Sequence, residues 1–343
     1  MLSKQSFGFT PDKEEILLVT LSNGPFSVEI LSLGGIIRSL KTPDREGNIG
    51  DIVLGFDDPL ENLKSTTYFG QIVGRFANRI AKGRYSIDGT EYQMETNDGP
   101  NALHNGKSNF GWRNWHVETF EWSGSPGVVL SLFSPDGDGG MPGSLNITVT
   151  YLLRSNGELM IEYEATTTKK TIVNMTNHSY FNLAGAANGT ILDHEVKLEC
   201  DHYLEVDKSL IPTGKILSVS GTPFDFTKAK PLGRDMLKAG GYDHCFVVSK
   251  HATKLFEFAQ VYEPVSGRTM KISTTMPAVQ MYTGNFLNGN DIGKGNVRYA
   301  KHAGVCFETQ FFPDSPNHPN FPSCVLEPSS VYKHTTVFAF GAK

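Results

Sequence analysis

Leu145-Asn146-Ile147-Thr148-Val149-Thr150-Tyr151-Leu152-Leu153 alternates apolar and polar side chains with a period of two. That is the pattern of a β-strand with one face turned to a core. Leu159, Ile161 and Tyr163 carry the alternation on into the next strand. Upstream, strands are predicted at 115–122 and 128–133, closed by the turn cluster Ser134-Pro135-Asp136-Gly137-Asp138-Gly139-Gly140-Met141-Pro142-Gly143. Further out, the Asn23-Gly24 pair turns a hairpin between 16–21 and 26–30, and Asp88-Gly89 turns another between 84–87 and 90–93. Gly34-Gly35 marks a bend or bulge. Later strands are predicted at 195–206, 245–249, 254–263, 268–275, 279–283, 304–311 and 331–340. Two short helices fit. One follows the Asp58 cap with Pro59 at its first position, and the other spans 233–238 before Gly240-Gly241.

Strands do not alternate with long helices, which argues against a parallel α/β fold. Many short strands with turns between them predict an all-β fold, a large antiparallel sandwich or barrel with a few short helices. No linker, composition break or repeat divides the chain, so one domain is expected over residues 1–343.

The 343 residues are 39% apolar and 20% charged, with a net charge of −5 and no basic run. A nucleic-acid partner therefore has no electrostatic basis. The opening Met1-Leu2-Ser3-Lys4-Gln5-Ser6 lacks the apolar core of a signal peptide, and no run is long enough to span a bilayer. A cytoplasmic protein with no membrane contact is expected. Its cysteines, Cys200, Cys245, Cys306 and Cys324, form no close pair and are expected as free thiols.

Several chemical motifs fail on inspection. Asp136-Gly137-Asp138-Gly139 opens like a calcium loop, but its twelfth position is Ile147, where a bidentate Glu is needed. Gly293-Lys294 lacks the glycine five positions earlier that a phosphate loop requires. No G-x-S-x-G occurs, and none of the ten histidines has a close metal-ligand spacing. No metal or other cofactor is expected. Cys306 reads as a small buried residue.

One stretch carries a charge on a stiff frame. In Phe307-Glu308-Thr309-Gln310-Phe311-Phe312-Pro313-Asp314-Ser315-Pro316-Asn317-His318-Pro319-Asn320-Phe321-Pro322, a strand bearing Glu308 runs at once into a loop stiffened by four prolines. Val305, Phe307 and Thr309 share one strand face; Cys306, Glu308 and Gln310 share the other. Taken singly, Glu308 and the other polar residues Asn78, Arg79, His104, His178, Asp243 and Gln280 each have an ordinary structural explanation. They could be surface ion pairs, turn caps or solvated strand positions.

Together, the stretches that hold them resemble the aldose 1-epimerase family, the galactose mutarotases. The resemblance lies in GRFANRIAKG from Gly74, ALHNG from Ala102, SPDGDGGMPG from Ser134, TNHSYFNLAG from Thr176, TPFDF from Thr222, GYDHCF from Gly241, VQMYTGN from Val279 and FETQFFPDSPNHPNFP from Phe307. These run in family order from about residue 70 to about residue 330. Phe76 stands where the family often has a smaller aliphatic residue, and Asn105 where Gly is common.

The resemblance implies a large antiparallel supersandwich with a sugar cleft on one face. It also implies interconversion of the α and β anomers of a free aldohexose. Ring opening needs a proton taken from the anomeric hydroxyl and another given to the ring oxygen, so one base and one acid suffice. The resemblance makes Glu308 the base and His178 the acid, with His104 supporting charge on the ring oxygen. Asn78, Arg79, Asp243 and Gln280 would hold the hydroxyls. Reference pKa values of about 4.3 and 6.5 suit the two roles. A monomer or weak dimer is expected. The rival readings are a non-catalytic sugar-binding or regulatory protein, a retaining glycoside hydrolase built on Glu308 and Asp243, and a hexose-phosphate mutarotase.

Overall fold

The computed structural model describes residues 1–248 and 254–343. Three antiparallel sheets carry the architecture. A nine-stranded sheet is built in the order His116–Trp122, Ser125–Ser134, Leu145–Leu153, Glu158–Thr167, Tyr332–Ala342, Arg268–Thr274, Phe256–Tyr262, Glu195–Leu198 and Lys230–Pro231. A six-stranded sheet runs Tyr180–Phe181, Val305–Gln310, Ala278–Tyr282, Asp243–Val247, His202–Val206 and Pro212–Ser218. The N-terminal five strands, from Leu2–Phe9 to Ile49–Asp51, form the third.

The alternation in Leu145–Leu153 is realised. Leu145, Ile147, Val149 and Tyr151 are buried, and Asn146 between them is exposed. They join Val28 and Leu40 of the five-stranded sheet and Val279, Met281 and Phe307 of the six-stranded sheet in one apolar core. The three sheets therefore close over a shared interior, which is the expected all-β sandwich.

Gly34-Gly35 is a tight turn. Both residues have positive φ, and a Cβ on Gly35 would lie 2.2 Å from Ile72 Cδ1. The Gly35 carbonyl accepts the buried Tyr151 hydroxyl at 2.8 Å. The bulge lies further on, where pairing slips between Glu29↔Ser39 and Ile30↔Ile37.

Three sequence expectations change. The strand predicted over 195–206 is two strands. Glu195–Leu198 belongs to the nine-stranded sheet and His202–Val206 to the six-stranded one, so the chain changes sheets between them. Val196, Leu198, Cys200 and Leu204 are buried on either side of the crossing, so the alternation runs through without a mark. The strand expected at 245–249 begins earlier, as Asp243–Val247, and its residue 249 lies outside the described residues. The helix expected at 233–238 is a 3₁₀ turn, Leu232–Arg234, followed by a short α-helix, Met236–Ala239, which Gly240 ends at φ +72°. The first helix is a 3₁₀ turn, Pro59–Leu63, with the Asp58 carboxylate accepting from Leu60 N.

Arg75 is fully buried and organises the turn cluster at 134–143. Its guanidinium donates to Ser134 Oγ and the carbonyls of Ser134, Pro135 and Gly143, all at 2.7–2.9 Å. The acidic pair in that loop is consumed internally. Asp136 accepts from Gly143 N and Lys169 Nζ, and Asp138 accepts from Arg113 and the Ser134 hydroxyl. This accounts for two aspartates in a loop with no calcium-ligand pattern.

All four cysteines are free and buried. A thiol reagent is expected to leave the folded protein largely unlabelled and to modify all four residues on denaturation, as counted by intact mass. A pair that stays protected after denaturation without reductant would contradict this.

Candidate active site

Register in the six-stranded sheet places the acidic side chains. Glu308 lies opposite Gln280, which in turn lies opposite Cys245; Asp243 lies opposite Tyr282. Directly paired residues share a face, and so do residues two apart. Asp243, Gln280, Tyr282, Cys306 and Glu308 therefore project from one side of three adjacent strands.

The histidines come from irregular backbone that is tied down locally. His178 N donates to Gln71 O at 2.8 Å, and His178 O accepts from Gly70 N at 3.0 Å. The Asn177 amide donates to Gly70 O, and its oxygen accepts from Ser179. Asn78 and His104 both adopt left-handed backbone, φ +67° and +52°. They lock together: His104 N donates to Asn78 O at 3.1 Å, and Asn78 N donates to His104 Nδ1 at 3.2 Å. Strand Ala102–Leu103, just before His104, pairs with Arg79–Ile80.

These residues meet in a cavity of about 600 Å³, where Asn78, Arg79, His104, His178, Asp243 and Glu308 all reach the wall. His178 Nε2 stands 3.6 Å from Glu308 Oε1, a close approach slightly too long for a hydrogen bond. Glu308 Oε2 is buried without a protein partner. Arg79 Nε donates to Asp98 at 2.8 Å, and its Nη1 lies 4.0 Å from Asp243. Gln280 is the one expected ligand that does not line the cavity. Its amide donates to Asp243 Oδ1 at 2.6 Å, so it holds a residue that lines the cavity. Phe76 and Asn105, the two departures from the family pattern, are buried outside the lining.

Burial governs the charges. It raises the Glu308 carboxyl well above 4.5; Asp243 nearby adds to the rise and Arg79 opposes it. Asp243 is raised by the same cause. Burial lowers His178 to about 4 and takes His104 well below 6.5. Both shifts favour the neutral forms, a protonated carboxyl and an unprotonated imidazole. These shifts run against the ionisation that the reference values suggest, because both groups are desolvated.

His104, His178 and Glu308 also bring two imidazoles and a carboxylate within 4.8 Å of one another, a set that could hold a metal. Sequence spacing missed the cluster because its members are far apart in the chain. The His104 tautomer opposes metal binding. Its Nδ1 accepts the Asn78 N–H, so in the neutral ring Nε2 carries the proton and is a donor, not a ligand. A donor at that place suits an oxygen that gains negative charge.

Sequence reasoning passed over other cavity residues: Tyr68, Asp98, Trp112, Tyr180, Tyr282 and Phe286. Tyr180 stacks on His178 with ring centroids 5.1 Å apart, and Tyr282 stacks on the exposed Phe286 at 6.1 Å. Tyr180 and Tyr282 lie inside the quoted stretches TNHSYFNLAG and VQMYTGN, but no role was read from them.

An imidazole and a carboxyl 3.6 Å apart beneath a cleft of aromatic rings, amides and carboxyl groups are what acid–base chemistry on a polyhydroxylated ligand would use. Known proteins agree with that class. The sequence profile of the aldose 1-epimerase family matches residues 17–339. Galactose mutarotase from Bos taurus is 46% identical over 322 residues, covering 93% of this chain and 92% of the relative. Aldose 1-epimerase from Escherichia coli is 36% identical over 342 residues, covering 97% of each. An aldose epimerase homologue from C. elegans superposes with a TM-score of 0.87 at 32% identity, covering 95% of this chain and 98% of its own. Galactose 1-epimerase from Lactobacillus acidophilus gives a TM-score of 0.86 at 26% identity, covering 100% and 99%. The chain belongs to the aldose 1-epimerase family.

Proposed function

We propose that this protein is an aldose 1-epimerase that interconverts the α and β anomers of free aldohexoses such as galactose and glucose. The observation that carries the reading is the buried approach of His178 Nε2 to Glu308 Oε1 at 3.6 Å in the cavity wall. Glu308 takes the proton of the anomeric hydroxyl. The bond from the anomeric carbon to the ring oxygen breaks, its electron pair goes to that oxygen, and the oxygen takes the proton on His178 Nε2. The aldehyde then turns about the neighbouring C–C bond, and the same two groups run the transfers backwards. His104 donates Nε2–H to the ring oxygen, while Asn78, Arg79 and Asp243 orient hydroxyls. Two proton transfers open the ring and their reverse closes it, so the reaction calls on no metal or redox group.

The charge of the cleft supports an unphosphorylated substrate. Its cations, Arg79 and Lys107, are paired with Asp98 and Glu95, and Asp243, Asp291 and Glu308 add further carboxyls. A phosphate would meet acidic groups, and among the described residues that line the cleft no cation is unpaired. The proposal includes one domain over residues 1–343, a monomer or weak dimer, and a cytoplasmic location. No described helix is long and apolar enough to cross a membrane.

The test is proton NMR or polarimetry of freshly dissolved α-galactose with and without the protein. Faster anomer exchange, unaffected by chelator, is expected. No acceleration would leave the sugar-binding reading, and loss on chelation with recovery on adding a divalent ion would overturn the metal-free mechanism. Asp243→Asn is expected to raise KM for galactose roughly tenfold or more while kcat falls much less, because a charge-assisted hydrogen bond to the sugar is lost. Steady-state NMR rates over a range of galactose concentrations separate the two constants.

A further inference from the structure

Glu308 and Cys306 stand two residues apart on one face of Val305–Gln310, and His178 lies against both. Its Nε2 is 3.6 Å from Glu308 Oε1, and its Nδ1 is 3.6 Å from Cys306 Sγ, within reach of a hydrogen bond to sulfur. The strand thus addresses both ring nitrogens at once. The ring plane is already set: Tyr180 stacks on it, Tyr68 lies at 5.7 Å, and His104 and Tyr282 meet it edge-on at 5.3 and 6.3 Å. The remaining freedom is which nitrogen carries the proton in the neutral ring.

We infer that Cys306 is a positioning residue for His178: its sulfur accepts the Nδ1–H and so keeps Nε2 as the nitrogen that exchanges a proton with the substrate. This rests on the reading of His178 as the acid. Proton accounting requires it. After His178 gives its Nε2 proton to the ring oxygen, the neutral ring must hold its remaining proton on Nδ1, because Nε2 must take the proton back when the ring closes. A ring that relaxed to the other tautomer could not accept it. His104 supplies the contrast within the same cavity, since there a backbone N–H points at Nδ1 and forces the proton onto Nε2. One histidine is thereby fixed as a permanent donor and the other as a carrier.

The partner's chemistry fits the task. Burial raises the Cys306 thiol well above its ordinary range, so it remains neutral. A carboxylate in that place would orient the ring but would also make it more basic and set a second anion beside Glu308. A thiol orients the ring without either effect. From sequence alone Cys306 was only a small buried residue; the structure gives it an address against the Nδ1 edge.

The test combines ¹⁵N-histidine NMR with kinetics on the full chain, the His178 signals being assigned by their loss in His178→Asn. In the wild type Nδ1 is expected to carry the proton and Nε2 to resonate as an unprotonated nitrogen at neutral pH. Cys306→Ser, whose oxygen can accept the same bond, should keep that tautomer and a kcat within about threefold of wild type. Cys306→Ala should spread His178 over both tautomers and lower kcat for galactose roughly tenfold with KM little changed. A wild-type His178 protonated on Nε2 overturns the inference, and so does a Cys306→Ala protein with an unchanged tautomer, since any rate loss would then be packing. The wild-type measurement decides even if Cys306→Ala does not fold. Absence of anomer exchange in the wild type would instead strike the proposed activity, and the tautomer result would still stand.

Discussion

Glu308→Gln is expected to lower turnover of galactose by roughly 10²–10⁴-fold while the protein stays folded and still binds the sugar. Glutamine keeps the size of the side chain and one acceptor oxygen but cannot take a proton. The loss should fall on kcat, with KM near wild type, which locates it in proton transfer rather than binding. Stability gives an independent check. Burial raises the Glu308 carboxyl well above 4.5 in the folded chain, whereas the unfolded chain ionises near that value. The folded state therefore holds more protons above pH 4.5, and its stability declines as pH rises through the folded-state pKa. Glutamine carries no such liability, so Glu308→Gln should melt no lower than wild type at neutral pH, and the difference should widen in its favour on the alkaline side. Melting followed by circular dichroism across pH, beside anomer exchange by NMR, reads both. A folded Glu308→Gln protein with near wild-type turnover would remove Glu308 from the chemistry and favour a binding protein.

The strands that face the core on one side were legible, because burial on a single face writes a period of two. Leu145–Leu153 and the C-terminal strand announced themselves in this way, while the turn pairs Asn23-Gly24 and Asp88-Gly89 marked two hairpins. The sheet order was not legible. Tyr332–Ala342 lies between Glu158–Thr167 and Arg268–Thr274, a pairing across more than half the chain that no local pattern encodes. Val305–Gln310 and Ala278–Tyr282 are buried on both faces, so their alternation distributes side chains without saying which side holds the cleft. The site residues were legible only as motifs. Asn78, His104, His178, Asp243 and Glu308 come from separate segments, and nothing in their spacing brings them together. Three things needed coordinates. Gln280 donates to Asp243, Asp98 accepts from Arg79, and desolvation favours the neutral forms of His178 and Glu308.

Those shifts shape the expected behaviour of His178→Asn. Turnover should fall by roughly 10²–10⁴-fold, and the double variant with Glu308→Gln should lie within about tenfold of the weaker single variant, since both groups serve one ring-opening step. The pH profiles should differ in form as well as height. In the wild type the pair shares one proton between about 4, where burial has set His178, and the raised value of Glu308. Below that window a second proton arrives and no base remains; above it the shared proton is lost and no acid remains. Turnover should therefore be bell-shaped, with apparent values belonging to the pair. The productive arrangement, an ionised Glu308 beside a protonated His178, runs against both shifts, so ligand contacts that favour it contribute to the catalysis. In His178→Asn only the base is left. Its residual rate should rise with pH through the raised Glu308 ionisation, without the alkaline fall of the wild type. An unchanged bell in folded His178→Asn protein would show that the acid is another residue, with His104 the first to test because its ring meets that of His178 at 5.3 Å.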